Sequence, residues 1–275
     1  MFRSMPIEAD TLPVRDSAAR AAAADEVLAR IAKSSEAKPM KFPLMNTFSA
    51  VLFAGAVAAT FAAPTHAALA RYLDPSQIDL VRILAPPPTP QSPEAAAELE
   101  AVLTAQRTRT DADVKRAQAD DELSVFRYAD VMGTGFAPEN LPFATAFFKE
   151  VATEGGQVVN PTRQHFMRQR PVMVDKRVEP VVNANGGSYP SGTAAFAYEA
   201  AILLANMVPE KAPAIFARAA DWGHNRVLSG VHYPGDVEAG RISGSVIGNA
   251  LLHDAAFVAD FAKAKSEVRR AIGLP

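Results

Sequence analysis

Prolines mark where helices can begin in this chain, and that punctuation constrains the fold more than any other feature. Proline at the first helical position loses nothing, because its missing N–H would have no partner there. Ser92-Pro93-Glu94, Pro142, Asn160-Pro161 and Pro234 each stand ahead of a run that reads as helix. Helical spacing of apolar residues also marks 126–132, 143–151, 194–208 and 254–272, and 111–123 reads as a polar helix of mixed charge. Only residues 178–182 alternate as a strand would, and Pro86-Pro87-Pro88-Thr89-Pro90 reads as a stiff extended linker. The expected fold class is all-α, a helical bundle with the functional site at helix ends.

Within that frame three groups of residues carry chemistry. Asn160 as N-cap and Pro161 predict a helix that stops near Arg170, since Pro171 disfavours helical geometry in the residue before it. Arg163 and Arg170, seven residues apart, would then share one face. Arg163 would sit in the first turn, where the helix dipole disfavours a cation unless an anion is close. Gly186-Gly187-Ser188-Tyr189-Pro190-Ser191-Gly192-Thr193 leads into an apolar helix, and backbone N–H groups at such a start take phosphate or sulfate readily. His232 stands ahead of the helix that Pro234 opens, with Asp236 in its first turn and Arg226 closing the helix before. A carboxylate four residues on can accept the proton of one imidazole nitrogen and leave the other as nucleophile or base.

Taken together in this order and spacing, Arg163-x6-Arg170-Pro171, Pro190-Ser191-Gly192-Thr193 and Asn225-Arg226-x5-His232-x3-Asp236 resemble the three-part signature of the type 2 phosphatidic acid phosphatase (PAP2) superfamily. Within it the chain looks most like the class A bacterial nonspecific acid phosphatases, with weaker likeness upstream through Tyr72-Leu73-Asp74 and 84–88. The resemblance implies a bundle of the PAP2 and vanadium haloperoxidase type. It further implies that His232 attacks phosphorus to form a phosphohistidine, that Asp236 orients it, and that Arg163, Arg170, Arg226, Ser191 and the Gly192 amide hold the equatorial oxygens. Neither metal nor cofactor is required by such a mechanism.

Three positions depart from the family pattern. Arg163 replaces a lysine, which keeps the charge and adds a fork for two oxygens. Asn225 replaces a serine, a change expected to matter little. Thr193 replaces the histidine that protonates the leaving oxygen, which threonine cannot do at neutral pH. His224, two residues before Arg226, is an auxiliary acid candidate beside Thr193.

A net charge of −2 gives no basic field for nucleic acid, and the absence of cysteine excludes disulfides and thiolate metal sites. The apolar run 48–63 after Met40-Lys41, ending in the small residues around Ala67, reads as a signal peptide over 40–67. Residues 1–39 read as a non-native or disordered extension and 68–275 as the phosphatase domain, periplasmic or secreted in a bacterium, with no stable membrane span after cleavage. The expected partner is a phosphorylated small molecule or phospholipid head group, and a homo-oligomer is compatible. A degenerate phosphate or phospholipid binder and a vanadium-dependent haloperoxidase are the alternatives.

Overall fold

The computed structural model describes residues 72–275, so the extension and the signal peptide lie outside the described residues. Those residues contain no strand, and they form seven helices of nine or more residues: α1 (Pro93–Thr108), α2 (Asp111–Ala119), α3 (Pro142–Phe166), α4 (Gly192–Met207), α5 (Ala212–Leu228), α6 (Pro234–Leu251) and α7 (Ala255–Ala271). Single helical turns at Leu80–Ile83, Ala129–Met132 and Pro171–Val174 and short 3-10 turns fill the connections.

The ends follow from local chemistry. Ser92 Oγ accepts the Ala95 N–H at 3.1 Å to start α1, Thr110 and Asp113 form a reciprocal capping box on α2, and Asp254 accepts the Phe257 N–H at 2.8 Å to start α7. No side chain of its own caps α3. Glu267 of α7 does so instead, accepting the N–H groups of Phe143 and Ala144 at 3.2 and 2.7 Å. That contact joins the two helices beside a cluster in which Phe147 and Phe257 stand 5.1 Å apart.

Helix α4 is the central element, with Ala194, Ala195, Phe196, Ala197, Ala200, Ala201, Leu203, Leu204 and Met207 all buried. A helix apolar on every side must be enclosed, and α3, α5 and α6 enclose it. Against α6 the fit is backbone to backbone. A methyl group at Gly240 would stand 2.6 Å from the Ser191 carbonyl oxygen, and one at Gly244 would collide with the Ala195 carbonyl. The seam thus runs along Ser191, Ala194, Ala195, Glu199 and Ile202. Ala197 faces elsewhere, and its carbonyl accepts the Tyr128 hydroxyl at 2.6 Å.

Several expectations need correction. Residues 178–182 form no strand, α2 ends at Ala119, short of Leu123, and 126–132 is a 3-10 turn followed by one helical turn. Pro161 starts no helix; it lies inside α3, which runs on to Phe166. An internal proline costs about 3 kcal/mol, but burying Val158 and Val159 is worth roughly 1.5–3 kcal/mol each, and packing therefore carries the helix through. Met167, with φ 46°, ends α3, and Arg170 lies beyond it as the N-cap of the turn Pro171–Val174.

Candidate active site

A cavity of about 480 Å³ opens between the C-terminal half of α3, the N-terminal half of α4 and the loop that joins them. Arg163, Arg170, Arg226, His232, Gly192 and Thr193 all line it. Ser191 does not. It is fully buried as the N-cap of α4, its Oγ accepting the Ala194 N–H at 3.3 Å. His224 is exposed on α5 and lies outside the cavity, so the structure does not bring the auxiliary acid candidate to the site.

The arginines are aimed by backbone carbonyls. Arg163 Nε donates to Gly187 O at 3.1 Å and Nη2 to Asn185 O at 3.0 Å. Arg170 donates from Nε to Gly186 O at 3.1 Å, from Nη2 to Asn185 O at 2.9 Å and from Nη1 to Val231 O at 2.8 Å. The loop 185–187 therefore holds both guanidiniums without cancelling their charge. Arg226 is buried, with Nη1 on Asp121 Oδ1 at 2.7 Å and its Nε without a partner among the described residues. Burial, then the fields of Arg163 and Arg226, pull Arg170 down to about 10. Burial likewise lowers Arg163 and Arg226. A cavity that weakens its own cations in this way favours an anion.

Arg163 belongs to the last turn of α3, not the first, so the helix dipole favours this cation and the dipole argument for an anion falls. The surviving argument is the missing counter-charge. Neither Arg163 nor Arg170 has a carboxylate hydrogen-bond partner among the described residues.

His232 is buried, with Nδ1 3.4 Å from Asp236 Oδ2 and Nε2 3.1 Å from Arg170 Nη1. An ionised carboxylate only accepts, so Asp236 assigns the proton to Nδ1 and leaves the Nε2 lone pair toward the arginines. Burial drives His232 down to about 4, against the opposing pull of Asp236, and keeps the ring neutral in mildly acidic solution.

Asp236 is itself over-determined. Its carboxylate accepts from Ser188 Oγ at 2.5 Å, the Tyr233 N–H at 2.9 Å and Arg168 Nη1 at 2.7 Å. Burial works to raise it, yet His232, Arg168 and Ser188 hold it below the usual carboxylate range. Arg168 also pairs with Glu98, and Glu98 Oε1 accepts the Gly235 N–H at 2.6 Å, tying α1 to the first turn of α6. Arg168, Ser188, Glu98 and Asp121 are positioning residues that sequence reasoning missed. Arg168 lay between two arginines already singled out; Glu98 carried no local signal at all. Asn225, expected to matter little, donates to Asp120 Oδ2 at 2.7 Å in a buried network with Arg218.

The PAP2 superfamily model matches residues 145–258. The chain is 29% identical over 196 residues to the non-specific acid phosphatase of Salmonella typhimurium, covering 67% of this chain and 78% of that protein. It is also 29% identical over 202 residues to the acid phosphatase of Zymomonas mobilis, with 70% and 76% covered. Among solved structures, a bacterial vanadium-dependent iodoperoxidase aligns with a TM-score of 0.48 at 18% identity, covering 62% of this chain and 52% of that one. A transmembrane PAP2-type phosphatidylglycerolphosphate phosphatase from Bacillus subtilis aligns with a TM-score of 0.44 at 16% identity, covering 58% and 86%.

Proposed function

This chain belongs to the PAP2 superfamily, and we propose that it is an acid phosphatase that hydrolyses phosphomonoesters through a phosphohistidine on His232. One observation carries the reading: three guanidiniums converge on one cavity beside the unprotonated Nε2 of an oriented, neutral imidazole. In the first step Nε2 attacks phosphorus, the P–O bond to the alcohol breaks, and the alkoxide oxygen leaves with the electron pair. Charge on the equatorial oxygens meets Arg163, Arg170, Arg226 and the Gly192 amide, donors already aimed and partly desolvated. Ser191, buried outside the cavity, contributes by capping the helix whose first residue presents the Gly192 amide. In the second step water attacks phosphorus, the P–N bond breaks, and inorganic phosphate is released.

The proposed steps use only side chains and backbone groups of this chain together with water. Activity should survive EDTA. Acid-quenched wild-type enzyme given labelled p-nitrophenyl phosphate should yield an acid-labile phosphoenzyme, and His232→Ala should yield none. Label retained in the variant would place the chemistry elsewhere, and no turnover by the wild type would favour the binder.

Export belongs to the same reading. The catalogued relatives are bacterial acid phosphatases, and cleavage near Ala67 would release residues 68–275 to the periplasm. Amino-terminal sequencing of the exported protein should begin at or near Ala68. Among the described residues no single helix is long and apolar enough to cross a membrane.

A further inference from the structure

The cavity continues past the anion clamp, between α3 and α4, to a carboxyl group that the phosphatase steps do not use. Glu199 lines it, seven residues after Gly192 and therefore two turns down the same face of α4. The residue is 1% exposed, and its Oε1 has no hydrogen-bond partner among the described residues. Its other oxygen reaches across to α3, where a methyl group on Gly155 would collide with it. Ala152, Gly155, Gly156 and Ala195 keep the passage open with small side chains. Glu154, beside Gly155, accepts the Tyr72 N–H at 2.7 Å; it does not line the cavity, but its field reaches Glu199.

The two ends of the cavity thus carry opposite character. Burial and then the field of Glu154 hold Glu199 well above the usual carboxylate range, and no cation among the described residues offsets them. Seven residues separate Gly192 from Glu199 by about 10 Å along the axis, and the glutamate points back toward the helix start. A phosphorus atom at the clamp and a group seated on Glu199 would stand roughly 6–9 Å apart. That exceeds the roughly 2.6–3.2 Å reach of a proton donor, so Glu199 faces the body of the leaving group and not the scissile oxygen.

We infer that Glu199 is the floor of a leaving-group subsite for an ammonium, so that this phosphatase prefers monoesters whose alcohol ends in a primary amine. The inference rests on the phosphatase reading for its meaning, but binding tests it without turnover. Non-hydrolysable ω-aminoalkylphosphonates of two to six carbons, and the matching ω-hydroxyalkylphosphonates, are titrated into the full chain by calorimetry. The amine series should bind more tightly by roughly 10- to 100-fold, as a charge-assisted hydrogen bond in a buried site allows, with an optimum at an intermediate chain length. Glu199→Gln should bring the two series together. Gly155→Ala, which pushes the carboxyl from its place without removing it, should do the same and covers the case of a Glu199→Gln protein that folds poorly. Equal affinities in the wild type, or an amine preference that survives in folded Glu199→Gln, overturns the subsite. Failure of the wild type to hydrolyse p-nitrophenyl phosphate would overturn the phosphatase reading instead.

Discussion

The two walls of the cavity are built on different principles. On the α6 side every charged atom has an assigned partner: His232 on Asp236, Asp236 on Arg168, Ser188 and the Tyr233 amide, Arg168 on Glu98. On the α4 side Thr193 stands where the signature that the chain resembles has a histidine, and Glu199 keeps an oxygen without a partner among the described residues. Under the proposed mechanism, over-determination suits a wall that would present one nitrogen to one phosphorus atom in a single geometry. The looser wall would then meet the leaving group, whose identity distinguishes substrates. The phosphoryl half of the reaction should thus be intolerant of change, and the leaving-group half should be open to redesign.

The sharpest way to break this contrast is His232→Ala, for which we predict a loss of roughly 10⁴-fold or more in kcat for p-nitrophenyl phosphate. A smaller loss would mean the α6 wall is not where the bond is made. On the opposite wall the largest effect should be a gain. Thr193→His should raise alkyl phosphate turnover by roughly 10²–10⁴-fold and flatten the dependence of rate on leaving-group pKa. A wild-type enzyme that already shows a flat dependence has another acid, and the wall is less bare than described.

Arg168→Ala comes next. It leaves the Glu98 and Asp236 carboxylates without their cation where both are largely buried, and should cost about 3–5 kcal/mol in denaturant unfolding. A change within about 0.5 kcal/mol would show that the chain of pairs from α1 to His232 is ornamental.

The smallest effect is a pH dependence with opposite signs on the two walls. Unfolded histidine takes its proton below 6.5, whereas buried His232 waits until about 4. The unfolded state therefore binds more protons in that window, and stability falls as pH drops through it, by at most on the order of 3 kcal/mol. Glu199 does the reverse, because the folded carboxyl keeps a proton that the unfolded one gives up above 4.5. Its contribution is present at low pH and lost as pH rises. Melting curves of the wild type and Glu199→Gln from pH 4 to 9 should run together in acid and diverge in alkali, with the variant the more stable. Parallel curves would remove Glu199 from the set of buried titrating groups.

What the sequence by itself determined were the features written over a few residues. Pro93, Pro142 and Pro234 do open helices α1, α3 and α6, and Ser92 does cap α1, because capping and the missing proline N–H act within one turn. The four-residue spacing of His232 and Asp236 brought imidazole and carboxylate together, since the turn between them leaves little freedom. Tertiary structure decided the rest. Pro161 passed through a helix interior because burial of its neighbours outweighs one missing hydrogen bond. Arg168 reaches Asp236 across 68 residues and Glu98 reaches Gly235 across 137, separations at which no spacing rule operates. Exposure set His224 aside and burial brought Glu199 forward, because which side of a helix faces a cavity depends on what packs against all its other sides.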